Sequence, residues 1–223
     1  ASSLDGGGGL KIVNGNPTIR DCMFTGNHGK NGGAMHVSSA VSPNLVACTF
    51  LDNHAETSGG ALYLAQTSGL RLDRCSILGN SAVAFGGGFH NNGGLAELTS
   101  TVVSGNSAAQ GGAMNNLLGT LTLTNCTISG NSATTSVGGV MNNNGGSNVN
   151  SSIFWDNHDN NGSIQLSQFF GPTSQINYSC VQGWDGSLGG TGDIGSNPAF
   201  VDADGQDNVV GTADDDLRVV MGS

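Results

Sequence analysis

The chain has 223 residues and a formal charge of −10, from 16 acidic and 6 basic residues, and it contains 38 glycines. The acidic balance argues against nucleic acid as a partner, since no basic patch is present to neutralise phosphates. No apolar run reaches the length of a membrane-spanning helix, and the glycine content excludes a fold built mainly from helices.

Six asparagines recur along the chain at spacings of 26, 27, 26, 25 and 26 residues: Asn27, Asn53, Asn80, Asn106, Asn131 and Asn157. A fixed period marks one supersecondary unit that is repeated. The short segments between glycines and asparagines are rich in Val, Ile, Thr and Phe, which predicts strands. We therefore predict a single-stranded, right-handed parallel β-helix of about seven to eight rungs, each rung being one turn of about 26 residues with three short strands.

Equivalent residues of successive rungs lie above one another in columns, about 4.8 Å apart. One predicted interior column holds small side chains: Cys22, Cys48, Cys75, Thr101, Cys126, Ser152 and Cys180. Because column mates point the same way, we expect free, buried thiols instead of disulfides. Three further columns are apolar and complete the core: Phe24, Phe50, Ile77, Val103, Ile128 and Phe154; Met35, Leu62, Phe89, Met114 and Met141; and Ile19, Leu45, Leu72 and Leu123. The asparagines themselves are expected at a bend, bonded to one another along the stack.

A column of rings and amides follows the inward residue after each glycine pair: His36, Tyr63, His90, Asn115 and Asn142. By strand alternation these side chains are predicted to face outward. Rings and amides on a parallel sheet could bind a sugar by stacking and hydrogen bonding, so the column is a candidate ligand site. The alternative is an exposed polar ladder that binds nothing.

Two motifs recur together in register, F-x-x-N and G-G-A followed by an apolar residue. Phe24–Asn27 with Gly32–Met35, and Phe50–Asn53 with Gly59–Leu62, match both halves. This pairing, over about residues 6–157, resembles the repeats of polymorphic outer-membrane proteins. The resemblance implies a surface-exposed β-helix, often a passenger or adhesin, that another region attaches to the cell.

The C-terminal segment is rich in aspartate: Asp202, Asp204, Asp207, Asp214, Asp215 and Asp216. Residues 197–220 resemble the closing segment of many secreted bacterial β-helix proteins, which implies a C-terminal cap. We accordingly assign residues 1–180 to the rungs and 181–223 to the last rung and cap of the same domain. Clustered carboxylates suit Ca²⁺, so these six residues are candidate ligands for a structural calcium ion. The alternative is a solvated acidic turn.

Paired carboxylates are the main rival basis for function, since inverting glycosidases use two acids roughly 6.5–9.5 Å apart. Asp21 and Asp73 are expected two rungs apart in one corner column, but Arg20 and Arg74 beside them favour surface ion pairing. His36, Tyr63 and His90 could serve as bases in a polysaccharide lyase. No catalytic residue is assigned.

The sequence thus favours a non-enzymatic, extracellular or cell-surface module for adhesion or surface architecture, belonging to a larger secreted protein. Its expected partners are a glycan, a cell-surface component, or a second copy through the solenoid ends. The alternatives are a glycan-binding module or a carbohydrate-active enzyme. A third is ice binding, which only the single run TLTLTNCT at 120–127 supports.

Overall fold

The computed structural model describes residues 6–172 and 175–220, which form a solenoid of stacked parallel strands. Three seven-stranded sheets run the length of the stack, a five-stranded sheet accompanies its first five rungs, and a two-stranded antiparallel hairpin lies near the C-terminus. The predicted parallel β-helix is confirmed. Each rung of the first five carries a fourth short strand, which the sequence pattern did not predict.

The strands of each sheet follow one another at one per rung. The first sheet contains Leu10–Ile12, Met35–Val37, Leu62–Leu64, Phe89–Asn92, Met114–Leu117, Val140–Asn143 and Phe169–Phe170. The second contains Thr18–Arg20, Asn44–Val46, Gly69–Asp73, Leu95–Thr99, Thr120–Thr124, Gly146–Asn150 and Gln175–Asn177. The third contains Met23–Thr25, Thr49–Leu51, Ser76–Leu78, Val102–Ser104, Thr127–Ser129, Ile153–Trp155 and Cys180–Val181. The fourth contains His28–Asn31, His54–Ser58, Ser81–Ala82, Ser107–Ala108 and Ser132–Ala133. The hairpin pairs Phe200–Asp202 with Asp216–Val219, and one short helix spans Gln165–Gln168.

The core is the stack of inward side chains from the first three sheets. Phe50 pairs in register with Phe24 and Ile77, as the spacing predicts, and the rings of Phe24 and Phe50 stack with centroids 5.0 Å apart. The Leu45 and Leu72 column of the second sheet is likewise in register and buried. Because each rung covers the apolar face of the next, the core is continuous along the whole solenoid.

The six recurrent asparagines form a hydrogen-bonded ladder at one bend. The backbone N–H and the side-chain amide of Asn80 both donate to Oδ1 of Asn106, each at 2.9 Å. Asn106 repeats both bonds to Oδ1 of Asn131 at 2.9 Å. The side chains of Asn80, Asn106 and Asn131 are fully buried, so these bonds join successive rungs where water cannot compete. The predicted structural role of the asparagines is confirmed.

The structure corrects two column assignments. Val140, not Met141, pairs with Met114, so Val140 is the buried core residue and Met141 faces outward. Similarly, Cys180 pairs with Ile153, and Ser179 takes the small-residue column by bonding through its hydroxyl to the N–H of Ser152. All five cysteines carry free thiols, as expected, but Cys22 is exposed.

The C-terminal end of the stack is closed by polar side chains that finish the ladders. Gln168 accepts from both the backbone N–H and the amide of Asn157, at 3.2 and 2.8 Å. Asp193 accepts from the backbone N–H of Ser179 at 2.8 Å. Trp184 and Leu188 pack against the core. The end is therefore covered by residues between 165 and 194, upstream of all six C-terminal aspartates.

Within residues 6–172 and 175–220, no helix has the length and apolar character needed to cross a membrane. The predicted division of the chain into residues 1–180 and 181–223 includes residues 1–5 and 221–223, which lie outside the described residues.

Candidate functional site

The ring column lies on the outward side of the first sheet, as predicted. His36 pairs in register with Tyr63, and Tyr63 with His90. The rings pack on one another along the stack, with centroids 4.8 Å apart for His36 and Tyr63 and 5.3 Å apart for Tyr63 and His90. The rings therefore cover one another in part, edge-on for His36 and Tyr63 and tilted for Tyr63 and His90, which leaves less ring surface for a sugar to stack on.

Outward orientation does not make this column an exposed ladder. His36 is 9% exposed, His90 4% and Asn115 1%, and the ring of Phe85 lies 5.9 Å from that of His90. Burial lowers the pKa of His36, and it lowers the pKa of His90 to about 4, with the neighbouring Asn115 acting in the opposite direction. Both imidazoles are consequently neutral at neutral pH.

Asn142, the fifth predicted member, does not belong to the ring column, because Met141 takes that position beside Asn115. Asn142 instead accepts from the amide of Asn116, which accepts from that of Asn91, each at 2.8 Å. This second buried asparagine ladder lies on the inward side of the first sheet. The spacings of 25 and 26 residues between its members were a signal that the sequence offered.

The second sheet presents a broad polar surface that the sequence analysis largely missed. Its outward residues, which we call the polar face, form two columns, each seven residues long. They are Thr18, Asn44, Arg71, Glu97, Thr122, Asn148 and Gln175 in one column and Arg20, Val46, Asp73, Thr99, Thr124, Asn150 and Asn177 in the other. All are exposed or half-buried except Val46. The run TLTLTNCT supplies one strand of this face.

Ion pairs hold three of the four charged side chains of the polar face: Arg71, Asp73 and Glu97. Arg71 Nε lies 2.9 Å from a carboxylate oxygen of Glu97, and Arg74 lies 2.9 Å from Asp73. Asp73 shares its column with Arg20, so the predicted column of Asp21 and Asp73 is wrong by one residue. The expected ion pairing of Asp73 is found.

The Asp-rich segment folds back along the flank of the solenoid, over the outward side of the third sheet. Residues 197–220, which we call the strap, pass over two bend glycines, Gly105 and Gly130. A Cβ at Gly105 would lie 2.4 Å from Cα of Gly211, and one at Gly130 would lie 2.2 Å from a methyl of Val210. Both glycines have φ near +60°. The glycines therefore allow a contact that any side chain would block.

The six aspartates lie on this strap, where several serve as hydrogen-bond acceptors for its own turns. Asp214 accepts from the backbone N–H of Gln206 at 2.8 Å, and Asp207 accepts from that of Val209 at 2.8 Å. Asp216 is paired with Arg218. Desolvation, followed by neighbouring Asp204, raises the pKa of Asp202. Over the part of the chain that the structure describes, no set of three or more His, Cys, Asp or Glu has an arrangement that could hold a metal ion.

Comparisons with protein-family models, curated proteins and solved structures found no significant match for this chain. The resemblance to polymorphic outer-membrane protein repeats accordingly stays a prediction from the motifs.

Proposed function

We propose that this chain is a non-enzymatic, extracellular or cell-surface β-helix module that serves adhesion or surface architecture within a larger secreted protein. The observation that supports this best is the polar face. It spans all seven strands of the second sheet, and its hydroxyl, amide and carboxylate groups recur with the rung spacing. A repetitive polar surface suits a repetitive ligand, such as a glycan or a cell-surface polymer.

Rigidity is the physical advantage of this surface. Thr122 and Asn148 are neighbours in register, and the strands beneath them are fixed by the continuous core and the asparagine ladder. Side chains held in place lose less entropy on binding, so weak contacts of about 1 kcal/mol each can add along a polymer. Affinity would then come from many equivalent contacts along the stack and not from one deep pocket.

The lowered pKa values of the histidines in the ring column argue against catalysis by these residues. A general base acts best when its pKa lies near the working pH, whereas burial lowers the pKa of His90 to about 4. On the polar face, Asp73 and Glu97 are each paired with an arginine. A carbohydrate-active enzyme, either a lyase or a glycosidase, is the alternative and is less consistent with these features. A purely glycan-binding module would use the same polar face.

A glycan array, followed by pull-down with insoluble polysaccharides, tests the proposal. We expect a repetitive glycan to bind the wild-type chain and to bind Thr122→Ala/Asn148→Ala about tenfold more weakly. The matched control is Thr57→Ala/Asn14→Ala, which removes one exposed threonine and one exposed asparagine elsewhere. Equal loss in both double variants would contradict a role for the polar face.

Reducing-sugar and unsaturated-uronate assays on the same glycans test the enzymatic alternative. We expect no turnover by the wild-type chain. Turnover of an acidic polysaccharide that is abolished in His36→Asn or His90→Asn would overturn the non-enzymatic proposal.

A further inference from the structure

A cavity of about 410 Å³ lies between the strap and the third sheet. Ser76, Leu78 and Val102 form its floor on the sheet side, and Leu217 contributes apolar surface from the strap. Cavities of this size with mostly apolar walls and a few polar groups are typical of small-molecule sites. The site is on a different sheet from the polar face and does not depend on the function proposed for it.

One carboxylate in the cavity wall forms no ion pair with any residue that the structure describes. Asp215 accepts a hydrogen bond from the backbone N–H of Gly211 at 2.7 Å, whereas the single O–H of Thr212 donates to Asp214 at 2.6 Å. The ion pairs formed by the described residues do not include Asp215. Partial burial raises the pKa of this carboxyl group. The charge of Asp215 is thus incompletely compensated, and a cation in the cavity would be stabilised there.

The second acidic group of the cavity is already neutralised. Asp216 also lines the wall, and its carboxylate accepts from Nε of Arg218 at 2.7 Å. The lining therefore has one uncompensated negative charge beside apolar surface from Leu78, Val102 and Leu217. A calcium ion prefers six to eight oxygen ligands, which an apolar wall does not supply. An ammonium group has three N–H donors and can bond to Asp215, while its carbon chain lies on the apolar floor.

We propose that the cavity between the strap and the third sheet binds a primary alkylammonium group, with Asp215 as its counter-ion and Leu78 and Val102 as the floor for its carbon chain. The same chemistry is presented by a free alkylamine and by the lysine side chain of a peptide. A bound ligand would contact both the strap and the third sheet and would hold the strap on the sheet.

Titration followed by ¹H–¹⁵N NMR tests the site, because the Gly211 amide bonded to Asp215 reports on the carboxylate. The probes are n-butylammonium, Nα-acetyl-lysine methylamide and, as a neutral control, 1-pentanol. We expect n-butylammonium to shift the Gly211 resonance and to bind at least tenfold more tightly than 1-pentanol. Tighter binding of the lysine derivative than of n-butylammonium would identify a peptide side chain as the preferred source. The reverse order would identify a free amine.

Two variants test the charge of Asp215 separately from the space that the cavity provides. Asp215→Asn should weaken n-butylammonium binding at least tenfold, while Asp159→Asn, which removes a half-buried carboxylate elsewhere, should not change it. If Asp215→Asn releases the strap, seen as loss of hydrogen-exchange protection at Gly211, then Val102→Phe decides, because it fills the floor without altering Asp215. Unchanged affinity in Val102→Phe, or equal binding of 1-pentanol and n-butylammonium, would overturn the proposal.

Discussion

The ring column and the polar face are both outward surfaces of parallel seven-stranded sheets, yet the ring column is mostly buried whereas the polar face is largely accessible to solvent. His90 is 4% exposed, whereas Asn148 and Asn150, at the same outward orientation on the second sheet, are exposed. The difference lies in what borders each sheet. Next to the first sheet, the rings stack along the column and Phe85 lies against His90.

The comparison shows that strand alternation determines direction and not accessibility. Side-chain direction follows from the two-residue period of a strand. Accessibility depends on neighbouring elements from other parts of the same rung. Two columns with identical period can therefore serve as a structural layer and as a candidate binding surface.

The largest expected effect comes from breaking the register that both surfaces share. Asn106→Ala removes the acceptor for the N–H and amide of Asn80 and the donor to Asn131. Unsatisfied buried groups cost about 1–3 kcal/mol each, so we expect a loss of about 4 kcal/mol in the free energy of unfolding, measured by urea denaturation. Asn148→Ala on the polar face, the matched control, should change it by less than about 0.5 kcal/mol. Similar losses in the two variants would mean that the ladder does not hold the rungs in register.

The next largest effect is a pH dependence of stability caused by the burial of His90 in the ring column. The pKa of His90 is about 4 in the folded chain, below the ordinary value of 6.5, so the unfolded chain takes up the proton first. The contribution of neutral His90 to the free energy of unfolding is therefore complete above pH 6.5, falls as the pH decreases, and is lost by about pH 4. The loss is on the order of 3 kcal/mol.

Urea denaturation at several pH values tests this assignment to His90. His90→Asn should flatten the dependence between pH 6.5 and 4, since asparagine does not titrate. The control is His158→Asn, which changes an exposed histidine and should leave the wild-type slope. An unaltered slope in His90→Asn would place the proton uptake elsewhere.

Much of the fold could be predicted because the same local interactions recur in successive rungs. Asn27, Asn53 and Asn80 recur at the same bend for the same reason, and one register explains them all. The assignment failed where a glycine pair changed its role. Val137 stands where Gly111 has positive φ, so the pair at 138–139 is displaced by one residue, and Asn142 was placed in the wrong column.

The candidate site was harder to predict, since it depends on contacts that no period encodes. The strap reaches Gly105 and Gly130 from about 80 to 105 residues downstream. The sequence showed glycines in a column that also contains Asp52 and Asp156, but gave no sign of what passes over them. The burial of His90 likewise depends on its contact with Phe85, which lies outside the strand of His90.

A smaller effect should appear in the dependence of binding on ligand length. Six intervals of about 4.8 Å make the polar face about 29 Å long. We expect affinity for an oligosaccharide of the bound glycan to increase with chain length until it spans this distance, and then to level off. Isothermal titration calorimetry over a length series measures this. His36→Asn should leave every affinity within about twofold, and a length-independent affinity would indicate a single local site.

The smallest effect concerns calcium and the strap. Desolvation, followed by the neighbouring carboxylate of Asp204, raises the pKa of Asp202, and a cation would relieve the repulsion between the two carboxylates. Since the strap lies outside the core, calcium at several times its dissociation constant should raise Tm by only about 2 °C. Differential scanning calorimetry after chelation, with and without Ca²⁺, measures the shift. Asp202→Asn/Asp204→Asn should remove it, whereas Asp21→Asn, an exposed carboxylate at the other end of the solenoid, should retain it. If wild-type Tm does not respond to Ca²⁺, the aspartates act only as acceptors within the turns of the strap, in the way that Asp207 and Asp214 already do.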